Sequence, residues 1–121
     1  MIHGKMDGLQ AVVAVKFILP HAANVSIDFV VDTGFQGALT LPAAAVTAMG
    51  LPFYQELDIK LADNSATRVD VHMATIDWDG TVIDVLVLAM GARPLLGTRL
   101  LAGRELVAQF LPNRLVTVDI V

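Results

Sequence analysis

Apolar positions in this chain follow two rhythms. Apolar, β-branched stretches cover residues 10–18 and 25–31, as in strands. Pro20-His21-Ala22-Ala23-Asn24 separates them as a turn, so the two runs are expected to form a hairpin. Further on the rhythm is strict alternation. Leu57, Ile59 and Leu61 alternate with Asp58 and Lys60, and Val69, Val71 and Met73 with Arg68, Asp70 and His72. That period of two predicts a two-stranded ribbon, partly exposed on one face, with Ala62-Asp63-Asn64-Ser65-Ala66 as its polar tip. Asp79-Gly80 marks a second tight turn between residues 75–78 and 81–88, and 82–88 reads as a central strand. Shorter strands are expected at 38–41, 105–110 and 115–120, the last two joined by the turn residues Leu111-Pro112-Asn113-Arg114. Two helices interrupt the pattern. In the first, over 42–49, Pro42 suits the first helical position, the alanine run favours helix, and Gly50 ends it. A shorter one over 98–102 ends at Gly103. Many short strands with regular turn signals predict one mostly-β domain over residues 1–121, a small partly closed barrel or folded sheet.

Composition narrows the function classes. With 121 residues, 55% hydrophobic and only 17% charged, the chain is rich in apolar side chains for a soluble monomer. Either the core is unusually full or a partner covers some apolar surface. The longest uncharged segment, 33–55, is broken by Gly34, Gly37, Pro42, Gly50 and Pro52, so no membrane span is expected. The first residues lack the basic start and apolar run of a signal peptide, and there is no cysteine, so a cytoplasmic home is expected. A net charge of −4 without a Lys/Arg cluster argues against nucleic acid as a partner. His3, His21 and His72 are scattered with no acid at ligand spacing, so no metal is expected. Gly91-Ala92-Arg93-Pro94 lacks the spacing of a phosphate loop, and no cofactor is expected. Without cysteine, and with no serine in a nucleophile-elbow context, covalent catalysis has no candidate.

The remaining chemistry lies where Phe29-Val30-Val31 runs into Asp32-Thr33-Gly34-Phe35. A carboxylate at the mouth of a buried strand requires a reason, because burying an unpaired charge is costly. The simplest is a turn in which Asp32 bonds its own backbone. Average residue usage gives Asp-Thr-Gly by chance in about 2% of chains this long, so the triplet alone decides little. Elsewhere the plain readings prevail: Asp77-Trp78-Asp79-Gly80 is a hairpin turn with a packing Trp, and Asp28 is at the surface. Arg93 and Arg99 flank Leu95-Leu96-Gly97 as solvated cations, with pairing of Arg99 to an acid of the loop region or of another subunit as the alternative.

Taken in order, three features carry a resemblance. They are the apolar strand with Asp32-Thr33-Gly34, the ribbon with its tip near 62–66, and Leu95-Leu96-Gly97 opening a short helix. This resembles the retropepsin-like aspartic proteases over roughly residues 25–102, and Val31 to Pro42 is similar to the short single-domain members of prokaryotes. The resemblance implies an acid-protease half-barrel with a flap hairpin, assembled as a two-fold homodimer, with endopeptidase activity on peptides or unfolded proteins. Asp32 is then the catalytic acid/base. Thr33 ties the two loops together across the axis, and Gly34 lets the backbone N–H approach the carboxylates. Leu95, Leu96 and Gly97 support the loop from below. Ala62, Asp63, Asn64, Ser65 and Ala66 close over the substrate, and Phe35 borders the cleft. The chemistry agrees, because two carboxylates about 3 Å apart share one proton and supply both base and acid. With one Asp-Thr-Gly per chain, the second carboxylate comes from another copy. Phe35 stands where retroviral members carry a small residue, and the flap tip is acidic and not glycine-rich. Those departures leave two alternatives: a catalytically inactive, dimeric peptide-binding or adaptor module of the same fold, and an unrelated β-domain in which Asp-Thr-Gly is only a turn.

Overall fold

In the computed structural model, which describes residues 1–121, the alternating runs and apolar stretches become ten strands. They are β1 (Ile2–Asp7), β2 (Gln10–Phe17), β3 (Val25–Val31), β4 (Leu39–Leu41), β5 (Phe53–Lys60), β6 (Ala66–Trp78), β7 (Thr81–Ala89), β8 (Leu95–Leu96), β9 (Arg104–Ala108) and β10 (Leu115–Ile120). Two short helices, α1 (Ala43–Met49) and α2 (Thr98–Leu101), complete a mostly-β fold. No helix is long and apolar enough to cross a membrane.

The sheet order is β5-β6-β7-β4-β8-β3-β2-β1-β10-β9, and a further pairing of β6 with β2 joins Lys16 to Asp77 and Phe17 to Ile76. That pairing closes β2, β3, β8, β4, β7 and β6 into a ring and leaves two arms. One is β5, carried on the outer half of β6; the other is β1-β10-β9, carried on β2. Strand β2 serves both neighbours by changing partner along its length. It pairs with β1 over Gln10–Val12 and reaches β6 at Lys16. Gly4 lets β1 lie close against β2, since a Cβ there would sit 2.1 Å from the Val12 carbonyl oxygen.

Inward positions of the ring strands fill the core. Val13, Val15 and Phe17 of β2 meet Phe29 of β3, Leu39 and Leu41 of β4, Ile76 and Trp78 of β6, Val87 of β7 and Leu96 of β8. Phe17 and Phe29, both fully buried, stack with ring centroids 5.9 Å apart. Val46 of α1 and Leu100 of α2 cap this core. The ribbon, both hairpins and both helices lie where the sequence pattern puts them, with local corrections. Helix α1 begins at Ala43 and Pro42 is its N-cap, because ψ of 142° keeps Pro42 extended as it leaves β4. Strand β4 begins at Leu39, one residue later than expected. Strand β9 ends at Ala108, since its ladder to β10 stops at the pair Ala108–Val116. The half of β6 that pairs with β5 and the half in the ring are one continuous strand. Strand β1 was not expected from the sequence.

Candidate functional site

The apolar β3 ends at Val31, and the next residue turns the chain. The Asp32 N–H donates to the Leu96 carbonyl at 2.9 Å, and the Phe35 N–H returns to the Asp32 carbonyl at 3.1 Å. The Asp32 carboxylate accepts the Gly34 N–H through Oδ1 at 2.9 Å. This is the local Asx bond that Asp favours, but it does not stand alone. Strand β8 threads between the two strands that the loop connects. It runs parallel to β3 through Val30–Leu95 and Val31–Leu96, and antiparallel to β4 through Leu39–Leu96 and Thr40–Leu95. Thr40, the one polar residue of its strand, is buried and its Oγ1 accepts the Leu95 N–H at 3.1 Å.

After β8 the chain enters α2, and its first amide groups hang on the loop. Gly97 N–H donates to Ala38 at 2.9 Å, Thr98 N–H to Phe35 at 2.8 Å and Arg99 N–H to Gly37 at 3.2 Å, each onto the carbonyl oxygen. The Thr98 hydroxyl adds a second bond to the Phe35 carbonyl at 3.3 Å. Such closeness requires Gly97, where a Cβ would lie 2.2 Å from the Gly37 carbonyl oxygen and 2.5 Å from that of Phe35. Folding thus brings Asp32-Thr33-Gly34 together with Leu95-Leu96-Gly97 from far along the chain.

Asp32 is half-buried, Thr33 and Gly34 are exposed, and no ion pair in the chain engages Asp32. A cavity of about 380 Å³ opens beside it. The cavity is lined by Val30, Val31, Asp32, Thr33 and Leu95, together with Leu9, Gln10 and Ala11 and with Leu106, Ala108 and Phe110. A carboxylate free of cations at an apolar cavity is a candidate for acid–base chemistry.

The other expected site residues lie apart from this cavity. The Phe35 ring folds back over Gly37 and Gly97, where added Cβ atoms would meet it at 2.5 and 2.6 Å, and it does not line the cavity. Ala62, Asp63, Asn64, Ser65 and Ala66 are all exposed and also stand off it. The tip makes its turn without glycine: Asn64 takes a φ of 68°, and Asp63 Oδ1 accepts the Ser65 N–H at 2.9 Å and its hydroxyl at 2.5 Å. Those two bonds hold the Asp63 carboxyl below its ordinary range, with the hydroxyl the larger cause. Arg93 and Arg99 are exposed and form no ion pair, Trp78 is buried, and Asp28 is exposed.

Sequence reasoning did not find Thr40 or Thr98, nor the walls of the cavity. For Thr40 a signal existed, a lone hydroxyl between two leucines. For the walls there was none, because Leu9 and Leu106 reach the site only through long-range pairing. No group of three or more His, Cys, Asp or Glu side chains is placed to hold a metal ion. Comparison with protein-family models, with curated proteins and with solved structures finds no match for this chain.

Proposed function

We propose that this chain is an aspartic endopeptidase working as a two-fold homodimer, in which Asp32 of each copy supplies one of the two catalytic carboxylates. The observation that carries the reading is the placement of Asp32. Asp32 is half-buried without a cation, its backbone N–H bonded to the Leu96 carbonyl and its carboxylate to the Gly34 N–H, and it opens to an apolar cavity. One carboxylate cannot both deprotonate water and protonate a carbonyl oxygen in the same step, whereas a pair sharing one proton can. The ionised member takes a proton from water as the water oxygen bonds the peptide carbonyl carbon. The protonated member gives its proton to the carbonyl oxygen. Collapse of the tetrahedral diol breaks the C–N bond, and the amine leaves with a proton returned from the pair.

Supporting the dimer, the outer cavity wall is β9, an edge strand with one side of its ladder unpaired. Around it Leu9, Val107, Phe110, Leu111 and Leu115 are exposed, an apolar border suited to burial against a second copy. Thr33, exposed beside Asp32, is free to bond across the axis. In this reading the closed ring with its two arms is the half-barrel of the retropepsin-like fold, and the β5–β6 hairpin is the flap. The substrate is an extended peptide or unfolded protein, held by main-chain bonds with its side chains in pockets.

Cleavage of unfolded protein substrates across pH 3–7 tests the reading beside Asp32→Asn. The expected result is hydrolysis by the wild type and a loss of at least about 10³-fold in the variant. Equal cleavage by both overturns it by pointing to a contaminant. A strict monomer in sedimentation at high concentration overturns it too. An intact dimer that cleaves nothing points to the peptide-binding module instead.

A further inference from the structure

Further along the loop that carries Asp32 lies a second, larger cavity of about 550 Å³, bordered by Gln36 and Gly37, by Asp84, Leu86 and Leu88 of β7, and by Arg99 of α2. Its apolar floor is Leu88, half-buried, and Leu86, 36% exposed. Its two charged groups differ in how they are used. Asp84 Oδ1 already accepts the Thr75 hydroxyl at 2.7 Å. Arg99 has its backbone fixed, its N–H bonded to the Gly37 carbonyl, but its guanidinium pairs with no carboxylate. By contrast, Arg68 and Arg104 are each committed to acids of the chain.

We propose that this groove is an outer subsite for the peptide substrate and selects an acidic side chain, whose carboxylate pairs with Arg99. The inference rests on the peptidase reading above. Three features argue for it. The groove begins on the loop that carries Asp32, so a peptide extended away from the reacting bond can run into it. Arg99 sits on the α2 turn that hangs on the Phe35 and Gly37 carbonyls, so its position is tied to that of Asp32. The charge pattern is also directional. A guanidinium on one rim offers a planar, two-pronged partner to a carboxylate, and Asp84 on the β7 rim repels that carboxylate toward it. A Glu side chain fits both parts of the groove, its methylenes over Leu86 and Leu88 and its head at Arg99.

The test uses the wild-type chain and peptide substrates in which one position at a time is Glu, Gln or Lys. At one position away from the scissile bond, Glu is expected to lower KM about two- to fivefold relative to Gln with kcat unaltered, the range for an exposed ion pair. High salt is expected to erase the difference. In Arg99→Gln the Glu and Gln peptides converge, and in Arg99→Glu the Lys peptide becomes the better substrate. Thermal unfolding of both variants checks that the exposed substitutions leave the fold intact. A wild type that cleaves without a Glu preference, or a preference that survives Arg99→Gln, overturns the subsite and leaves the peptidase reading standing. A wild type that cleaves no peptide overturns both.

Discussion

Gly97 serves the site by lacking a side chain. Its φ of −102° is open to any residue, so conformational freedom is not the reason for glycine here. Space is the reason: a Cβ would meet two loop carbonyls at 2.2 and 2.5 Å, and backbone cannot yield as a flexible side chain can. Gly97→Ala is expected to cost about 1–3 kcal/mol, the range for overpacking a tight core. Urea unfolding measures that loss, and the peptidase activity proposed above should fall further, because the displaced segment is the one that bonds the Asp32 loop. Thr40 is the complementary case. Thr40→Val keeps the shape but leaves the part-buried Leu95 N–H without its acceptor, at a cost of about 1 kcal/mol. Thr40→Ser should recover most of it, and a valine variant as stable as wild type would show that the bond contributes nothing. Of these two residues only Gly97 was legible, through its place after two leucines. Thr40 left a signal, a lone hydroxyl between two leucines, but in so short a strand that pattern does not say which partner the hydroxyl meets.

At the scale of elements, the β5–β6 hairpin follows from its alternation. Leu57, Ile59, Val69 and Val71 share one face, and Glu56, Asp58, Arg68 and Asp70 share the other. Arg68 bonds Glu56 at 3.1 Å and Asp58 at 3.2 Å on the polar face. All three are exposed, so Arg68→Ala should leave the unfolding midpoint within error. The tip depends on a different contact. Asp63→Ala removes the acceptor of the Ser65 N–H and hydroxyl, and should raise amide exchange at Asn64 and Ser65 without moving the global midpoint. If those amides keep their protection, Asp63 does not hold the turn. The ribbon was legible because period-two alternation is a local signal. Strand β1 was not, because His3, Gly4, Lys5 and Asp7 read as polar until β10 and β2 flank them. The Asp79-Gly80 turn was legible as well, both residues taking the positive φ that a tight hairpin asks for, at 54° and 83°. What that turn holds was not.

Across the whole molecule, Asp79 joins the ring to the arm that walls the cavity. Arg104, the first residue of β9, donates from Nη1 to Asp79 Oδ2 at 2.8 Å and lies over the Trp78 ring, 5.6 Å from its centroid. The Met1 ammonium donates to Asp79 Oδ1 at 2.9 Å and stands 3.7 Å from Asp119. Asp79 and Arg104 are the least exposed ion pair in the chain, at 17% and 14%. Arg104, and then the terminal ammonium, hold the Asp79 carboxyl below the ordinary carboxylate range, and Asp79 in turn raises the ammonium above its usual value. A carboxylate with a lowered folded pKa stabilises the fold fully above its unfolded value of about 3.9, and loses that contribution as pH falls through the folded value. An ammonium with a raised folded pKa stabilises fully below its unfolded value of about 8, and loses that contribution as pH rises through the folded value. The clamp is therefore complete between those limits. Thermal unfolding of wild type and Asp79→Asn from pH 2 to pH 10 should show the largest gap in midpoint near pH 5–7. The gap should narrow toward the acid end, as wild-type Asp79 takes up its proton, and narrow only in part at the alkaline end, where Arg104 remains charged. A gap of constant size across the range would remove Asp79 from the joint. Since β9 lines the Asp32 cavity and borders the surface proposed for the second copy, Asp79→Asn should also weaken self-association at neutral pH. Sedimentation equilibrium reads that change directly, and self-association unaltered in the variant would confine the clamp to the stability of one chain.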